Sequence, residues 1–207
     1  MINASVKLPT NPRMAESTLI IFVKNPIPGT VKTRIARTVG DGQAVAVYRH
    51  LLRHTQEIAR QLTCHRVVYY GDFINPDDGW NGYDKRLQEG NDLGERMQEA
   101  FREQFEQGAD RVAIIGSDCL TITAGHIESA FVALDQADVV IGPATDGGYY
   151  LLALKKLHTA LFDGMPWSQP ELSQRTELAI LQNGLTFERL AELTDIDEWA
   201  DYENALK

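Results

Sequence analysis

Short apolar runs alternate with longer amphipathic stretches along the chain. The apolar runs predict buried strands, and residues with a 3.6-residue hydrophobic period predict helices. Strands are predicted at residues 18–23, 65–71, 112–115, 137–141, 149–154 and 185–190. Helices are predicted from about 32, at 43–62, from 94 to about 107, at 124–135, 157–162 and 170–183, and near the C terminus. Strands that alternate with helices predict an α/β fold with a mostly parallel sheet.

The first 17 residues differ from the rest of the chain. They are polar, contain Pro9 and Pro12 and show no apolar periodicity. We therefore predict a flexible N-terminal tail over residues 1–17. The remaining residues, 18–207, contain neither an internal repeat nor a linker, so that a single domain is expected.

Composition limits the classes of function that the protein can have. The net charge of −9 argues against a general surface for nucleic acid or anionic membranes. Cys64 and Cys119 lie far apart and are expected to be free thiols in a reducing compartment. No apolar run reaches membrane-spanning length, and no signal-peptide core is present at the N terminus. We expect a cytoplasmic protein with small-molecule partners.

The strand predicted at 112–115 is followed at once by Gly116, Ser117 and Asp118. Open α/β sheets bind ligands at the carboxyl ends of their strands, and a carboxylate there can hold a divalent cation against a phosphate. Asp118 could equally cap the helix that begins near Thr121 or Thr123. From this stretch alone, both interpretations stay open.

A basic loop follows the first predicted strand. Its prolines and glycine exclude regular structure over residues 25–29, and Lys32 and Arg34 fall in the first turn of the next helix. Basic side chains and free backbone N–H groups at a helix start favour a phosphate. The alternative is a solvated basic turn. The loop matches neither the Walker nor the GxGxxG pattern.

Two further glycine-containing segments are candidates for ligand contact. Gly90 and Gly94 flank an Asn-Asp pair, which could approach a base or ribose closely or could simply be a turn with a helix cap. Residues 146–148, Asp-Gly-Gly, come between two predicted strands. They could admit a ligand to the backbone or form an ordinary hairpin turn.

Side chains at two other places have spacings that suit a metal. Asp195 and Asp197 occupy alternate positions before the last helix and could both bind one cation, although Asp197 could also cap that helix. His50 and His54 are four residues apart on a predicted helix. Arginines beside the two histidines favour a solvated helix surface instead.

Several segments in order resemble the DUF2064 family of GT-A-fold, nucleotide-diphospho-sugar transferase-like proteins. They are KNPIPGTVKTRIA, GNDLGERM, GSDCL, GPATDGGYYLL, PWSQPEL and TDIDEWAD. The family includes glycosyltransferases of arsenosugar biosynthesis and is more distantly similar to guanylyltransferases. The resemblance implies a single Rossmann-like domain with a central mixed sheet and helices on both faces.

The resemblance also implies roles for individual residues. The nucleotide and its phosphates would contact Lys24, Gly29, Lys32, Arg34, Gly90, Asp92, Gly94 and Arg96. The acceptor pocket would be bordered by Gly147, Gly148, Tyr149, Trp167 and Ser168. Asp118 would be the metal-binding acid, but Ser117-Asp118-Cys119 lacks the second acid of an Asp-x-Asp motif. Asp195 or Asp197 would supply it, because the related guanylyltransferases carry an Asp-x-Asp near the C terminus.

The expected activity is a metal-dependent transfer from a nucleotide-activated donor. Glycosyl transfer to a small acceptor would use a Mg²⁺ or Mn²⁺ ion bound by Asp118. Asp146 would act as the general base. The first alternative is nucleotidyl transfer from a nucleoside triphosphate to a phosphorylated substrate, with release of pyrophosphate. The second alternative is a nucleotide-binding module without catalysis.

Overall fold

The computed structural model describes residues 17–207. The predicted flexible tail, residues 1–17, lies outside the described residues except for Ser17, at which the first strand begins. The strands are β1 Ser17–Val23, β2 His65–Tyr70, β3 Asp84–Leu87, β4 Arg111–Ile115, β5 Val139–Pro143, β6 Tyr149–Leu154 and β7 Phe187–Arg189.

The helices follow the predicted order. They are α1 Thr33–Val39, α2 Asp41–Gln61, α3 Leu93–Glu106, α4 Ala124–Ala133, α5 Leu172–Gln182 and α6 Trp199–Ala205, with a 3₁₀ turn at Thr159–Leu161. Helix α2 begins two residues before the predicted position. The stretch predicted as a helix at 157–162 forms only the short 3₁₀ turn.

The seven strands of residues 17–207 form one mixed sheet. Their order is β3-β2-β1-β4-β6-β5-β7. Strand β6 runs antiparallel to β4 and β5, whereas β1 is parallel to β2 and β4, β2 to β3, and β5 to β7. The predicted α/β class and the mostly parallel mixed sheet are confirmed.

Helices cover both faces of the sheet, as expected. Neighbouring residues of β1 point to opposite faces: Leu19 and Ile21 belong to one core and Ile20 to the other. Ile35 of α1 and Leu51 of α2 pack into the first core; α3 and α5 pack into the second. Burial on both faces explains why β1 is apolar at every position from Leu19 to Val23 rather than alternating.

One strand was not predicted. Residues 72–85 were expected to form a loop, but Asp84–Leu87 pairs with β2 at the edge of the sheet. Three of its four residues are charged, so the segment lacks the apolar run by which a strand is predicted. No helix among the described residues has the length and apolar character needed to cross a bilayer.

Candidate active site

The candidate site lies at the carboxyl ends of β1 and β4, which are neighbouring parallel strands. The next strand along the chain after β1 is β2, on one side of β1, while β4 lies on its other side. Such a reversal of strand order opens a crevice at the carboxyl edge of a parallel sheet. The basic loop after β1 and the Gly-Ser-Asp sequence after β4 therefore meet at one edge.

Asp118 does not cap a helix. Helix α4 begins at Ala124 and is capped by Thr123, which exchanges hydrogen bonds with His126. The carboxylate of Asp118 is 44% exposed, and its backbone carbonyl accepts a hydrogen bond of 2.8 Å from the Ile196 N–H. The side chain is thus available for chemistry at the edge of the sheet.

Residues 193–197, here called the C-terminal strap, cross this edge. The Leu193 N–H donates to the Pro143 carbonyl over 3.1 Å, and Asp195 forms a β-bridge with Cys119. These backbone contacts tie the strap to the ends of β5 and β4. As a result, Asp195 and Asp197 lie beside Asp118, although almost eighty residues separate them in sequence.

Lys32 lies at the centre of these acids. Its ammonium is 2.9 Å from Asp118 Oδ1 and 3.7 Å from Asp197 Oδ1, and it donates to the Ile196 carbonyl over 2.7 Å. We call Lys32, Asp118, Asp195 and Asp197 the acid cluster. Lys32 was expected in the first turn of a helix, but it precedes α1 in a left-handed conformation with φ of 47°. That conformation turns its side chain towards the acids.

The other basic residues of the first loop are placed differently. The Arg34 guanidinium donates to Asp197 Oδ2 over 3.1 Å and remains 61% exposed. Lys24 is exposed, and its backbone N–H donates to the Tyr48 hydroxyl. Of the three cations predicted to bind phosphate in this loop, Lys32 and Arg34 are therefore paired with carboxylates.

The close approach of the acids alters their protonation. Burial, together with the charges of Asp118 and Asp146, raises the pKa of Asp195 to about 7, against the opposing effect of Lys32. Burial also raises the pKa of Asp197, while Lys32 lowers it. Shifts of this kind are typical of functional sites but also occur in structural ion-pair networks.

Sequence reasoning missed the hydrogen bonds that hold the loops of the site. The buried Asn25 donates through its side-chain amide to Asp72 Oδ1 over 2.8 Å and to the Phe73 carbonyl over 2.8 Å. The Tyr48 hydroxyl lies 3.2 Å from Ser117 Oγ. The role of Asn25 could have been predicted from the sequence, because it is a polar residue just after a buried strand. The role of Tyr48 could not, since it lies on the apolar face of α2 like any core residue.

The loop at 90–94 has the structural role that was left open as an alternative. Asp92 caps α3 by accepting the Glu95 N–H over 2.9 Å, and Arg96 Nε donates to the Gly90 carbonyl over 3.1 Å. A Cβ added at Gly94 would lie 2.3 Å from Trp167 Nε1. Glycine is needed here because the indole packs directly on the helix backbone.

The turn at 146–148 is a hairpin turn between β5 and β6. The Gly148 N–H donates to Asp146 Oδ1 over 2.9 Å. Gly147 has φ of 89°, and a Cβ there would lie 1.9 Å from the Pro170 carbonyl oxygen. We call the two contacts, Gly94 with Trp167 and Gly147 with Pro170, the glycine seam.

The seam brings some of the predicted acceptor residues together but not all. Gly147 and Trp167 share it, and the exposed Ser168 follows in a left-handed conformation with φ of 60°. Gly148 lies at the hairpin turn, against Asp146. Tyr149 is half-buried and packs against the second core.

A groove of about 430 Å³ lies between α1 and α6, and Arg34 and Trp199 are among its lining residues. The groove is adjacent to the acid cluster, because Arg34 also contacts Asp197. The predicted acceptor residues do not line it.

The acid cluster suits a metal site that phosphates and water complete better than a site made of protein ligands alone. Within residues 17–207, no three His, Cys, Asp or Glu side chains are arranged to hold a metal. Magnesium in phosphate-binding enzymes, however, uses one or two carboxylates and completes its coordination with phosphates and water. The exposed Asp118 and the neighbouring Asp197 fit that kind of site, but not a cage built from protein alone.

His50 and His54 of α2 each contact another group of the protein. His50 Nδ1 lies 2.9 Å from the Tyr202 hydroxyl, and His54 Nε2 lies 3.0 Å from the Ile122 carbonyl oxygen. Both rings are half-buried. They attach α2 to neighbouring segments instead of lying on a solvated surface.

Comparisons with known proteins agree with this fold. A family model described as "Uncharacterized protein conserved in bacteria (DUF2064)" matches residues 54–169. No curated protein matches the chain. A solved structure from Desulfovibrio desulfuricans G20, named a "putative nucleotide-diphospho-sugar transferase", is 33% identical with a TM-score of 0.84. The match covers 89% of this chain and 84% of that one.

More distant structures share the fold alone. The inositol-1-phosphate CTP transferase from T. maritima is 12% identical with a TM-score of 0.59, over 94% of this chain and 96% of that one. Rv0371c from Mycobacterium tuberculosis H37Rv, solved in complex with manganese, is 12% identical with a TM-score of 0.55, over 92% and 97%. The chain belongs to the DUF2064 family, and its fold is the Rossmann-like GT-A type.

Proposed function

We propose that this protein is a transferase that uses a nucleotide-activated donor, with residues 18–207 as one catalytic domain. The observation that carries the proposal is the acid cluster at the carboxyl edge of β1 and β4, where a sheet of this type binds ligands. The similarity to the D. desulfuricans protein, at 33% identity over most of the chain, supports the same class of substrate.

Glycosyl transfer from a nucleotide-diphospho-sugar to a small acceptor is the reaction we favour. Asp118 would hold a divalent cation such as Mg²⁺ or Mn²⁺, with Asp197 or Asp195 as its second protein ligand. Bound there, the cation would supply Lewis-acid neutralisation of the donor diphosphate. The manganese complex of the structurally similar Rv0371c supports a metal of this kind.

The protein's own residues would bind and orient the substrates. Lys32 and Arg34, with Lys24 at the start of the loop, would neutralise the negative charge that grows on the departing diphosphate. The exposed Asp146 is our candidate for the general base that removes a proton from the acceptor hydroxyl. Its Oδ1 accepts the Gly148 N–H, which would hold the carboxylate in one orientation.

The second candidate is nucleotidyl transfer, in which a phosphorylated substrate attacks the α-phosphate and pyrophosphate leaves. The specific support is the fold shared with the T. maritima inositol-1-phosphate CTP transferase. The cations at the first loop suit a triphosphate as well as a diphosphate. The two reactions differ in what is released, and this difference can be measured.

The test begins with a ligand screen by thermal shift. UDP-sugars, GDP-sugars, nucleoside triphosphates and nucleoside diphosphates are each added with and without Mn²⁺. A ligand that binds only the folded state raises the melting temperature, so the screen identifies the donor class. Release of a nucleoside diphosphate from a nucleotide-diphospho-sugar supports glycosyl transfer, and release of pyrophosphate from a nucleoside triphosphate supports nucleotidyl transfer.

Asp118→Asn tests the central residue. We expect turnover to fall by about 100-fold or more, as is typical when a charge-stabilising group is removed. Asp163→Asn, at an exposed position, is the control and should retain activity. Metal-dependent nucleotide binding that is unchanged in Asp118→Asn would contradict the proposal. Tight nucleotide binding with no turnover would favour a non-catalytic module.

A further inference from the structure

The Lys32 ammonium is already surrounded by acceptors from the protein itself. An ammonium has three N–H donors, and its three neighbours are Asp118 Oδ1 at 2.9 Å, the Ile196 carbonyl at 2.7 Å and, more distant, Asp197 Oδ1 at 3.7 Å. The side chain is only 7% exposed. The group expected to neutralise the donor's phosphates is therefore already engaged in two close contacts and one longer ion pair within the protein.

Packing fixes this position. The residue before Lys32 is Val31, buried in the first core, and Ile35 is buried on the first turn of α1. Lys32 itself adopts φ of 47°, which is uncommon for a residue other than glycine. With buried residues on both sides, the left-handed backbone directs the lysine inward, whereas the flanking Thr33 and Arg34 are exposed.

The ammonium also lies where a cation would have to bind. It approaches two of the carboxylates that we assign to the metal, and its charge opposes a second cation at the same place. Its single positive charge offsets part of the negative charge of Asp118 and Asp197.

We propose that Lys32 is an internal counter-ion that closes the acid cluster to divalent cations until donor phosphates draw the ammonium away. This inference rests on the proposed use of a nucleotide donor. Phosphate oxygens are strong acceptors for an ammonium. When they bind Lys32, the carboxylates of Asp118 and Asp197 become free for the cation. Cation and nucleotide then bind together, and the protein without nucleotide has little affinity for the cation.

The experiment measures Mn²⁺ binding to the full chain without nucleotide, by the loss of the electron paramagnetic resonance signal of free Mn²⁺. Lys32→Met is expected to bind Mn²⁺ roughly tenfold more tightly than wild type, or better, because a competing positive charge is gone. Adding Asp118→Asn to Lys32→Met should remove this gain. The result does not depend on turnover or on the identity of the donor.

Lys85→Met is the matched control. Lys85 is also mostly buried and lies 2.9 Å from Asp78 Oδ1, but the pair is at β3 rather than in the acid cluster. Its removal should leave Mn²⁺ binding unchanged. If Lys32→Met does not fold, as judged by its thermal unfolding curve, Lys32→Gln removes the charge while keeping a polar side chain and has the same expected result.

Two outcomes would overturn the inference. Wild type could bind Mn²⁺ without nucleotide as tightly as the charge-removed variants, or those variants could bind it more weakly. Failure of the proposed function looks different: no nucleotide would bind in the thermal-shift screen, while the effect of Lys32 on Mn²⁺ affinity would persist. The counter-ion role and the nucleotide-donor role can thus be judged separately.

Discussion

The acid cluster and the glycine seam both lie at the carboxyl edge of the sheet, but ion pairs hold the first and close steric contacts hold the second. In the acid cluster, charged groups hold one another across distances of 2.9 and 3.7 Å. In the glycine seam, uncharged groups are in such close contact that a Cβ at Gly147 would lie 1.9 Å from the Pro170 oxygen. Ion pairs can exchange partners when a ligand arrives, whereas a tight steric contact has only one arrangement.

Because of this difference, we expect the two regions to respond differently to ligands. The acid cluster can be reorganised by phosphates or a cation, while the seam keeps the hairpin turn and the segment at 167–170 in place. Substitutions should therefore act on the seam through shape, with little response to salt. In the acid cluster they should act through charge, with effects that depend on pH.

The largest effect is expected from Gly147→Ala. The new Cβ would collide with the Pro170 carbonyl, and φ of 89° is unfavourable for alanine. Strain and overpacking together should lower the free energy of unfolding by about 3 kcal/mol or more. Urea unfolding measures the change. Gly82→Ala is the matched control: φ there is also 89° but nothing lies within 4 Å, so the loss should be about 1–2 kcal/mol. Equal losses would show that the Pro170 contact is not tight.

Gly94→Ala should have the next largest effect. Alanine favours a helix over glycine by about 1 kcal/mol, yet the Cβ would lie 2.3 Å from Trp167 Nε1. We expect a net loss of about 2 kcal/mol, measured by thermal unfolding. The loss should vanish in a Trp167→Ala background. Gly125→Ala is the control, because Gly125 is the second residue of α4 as Gly94 is of α3. A Cβ added at Gly125 would lie 3.6 Å from the nearest atom, so this variant should be neutral or stabilising. A loss that persists without the indole would argue against the seam.

A smaller effect, dependent on pH, is expected from Asp195→Asn. The pKa of Asp195 is raised to about 7 in the folded state, so the carboxyl contributes stability at low pH that is lost as the pH rises from about 4 to about 7. Asparagine does not ionise. The variant should match wild type at low pH and become more stable than wild type as the pH rises to about 7. Melting temperatures across this range test the sign.

Asp138→Asn provides the opposite case. Hydrogen bonds from the Thr186 N–H and hydroxyl lower the pKa of Asp138. Its carboxylate therefore adds stability that is lost when the pH falls through the lowered pKa. Asp138→Asn should be less stable than wild type at neutral pH and equal to it in acid. If both variants responded to pH in the same direction, the burial of Asp195 would not be the cause.

The smallest effect on stability is expected from Arg34→Met. The Arg34–Asp197 pair is 3.1 Å long, but the arginine is 61% exposed, and exposed ion pairs contribute about 0–1 kcal/mol. Chemical denaturation at low and high salt should show a change below about 1 kcal/mol that shrinks further with salt. A larger, salt-insensitive loss would mean that Arg34 acts through packing.

Hydrophobic pattern was enough to predict most of the fold. Strands β1, β4 and β6 are apolar runs between glycines, prolines or charged residues, so burial on both faces is visible in their composition. Strand β3 was missed because Asp84, Lys85 and Arg86 show no apolar pattern. Its strand conformation comes from backbone pairing with β2, which composition does not encode.

The site was only partly predictable for a related reason. Residue types and loop positions pointed to Asp118, Asp195 and Asp197, and the structure brings them together. The direction of the Lys32 side chain was not predictable. It depends on a left-handed backbone and on the carbonyl of Ile196, which is distant in sequence. The local sequence pattern indicates which functional groups a segment carries, whereas long-range contacts determine the direction of those side chains.

The role of the strap has a consequence for biosynthesis. Ile196 donates its N–H to the Asp118 carbonyl and accepts from Lys32, so the candidate site requires residues that emerge from the ribosome long after β1 and β4. The ribosome synthesises the chain from its N terminus, at about 5–20 residues per second. A nascent chain that has formed the sheet around β1 therefore still lacks the acids at 195 and 197, and the site can assemble only once the strap has been translated.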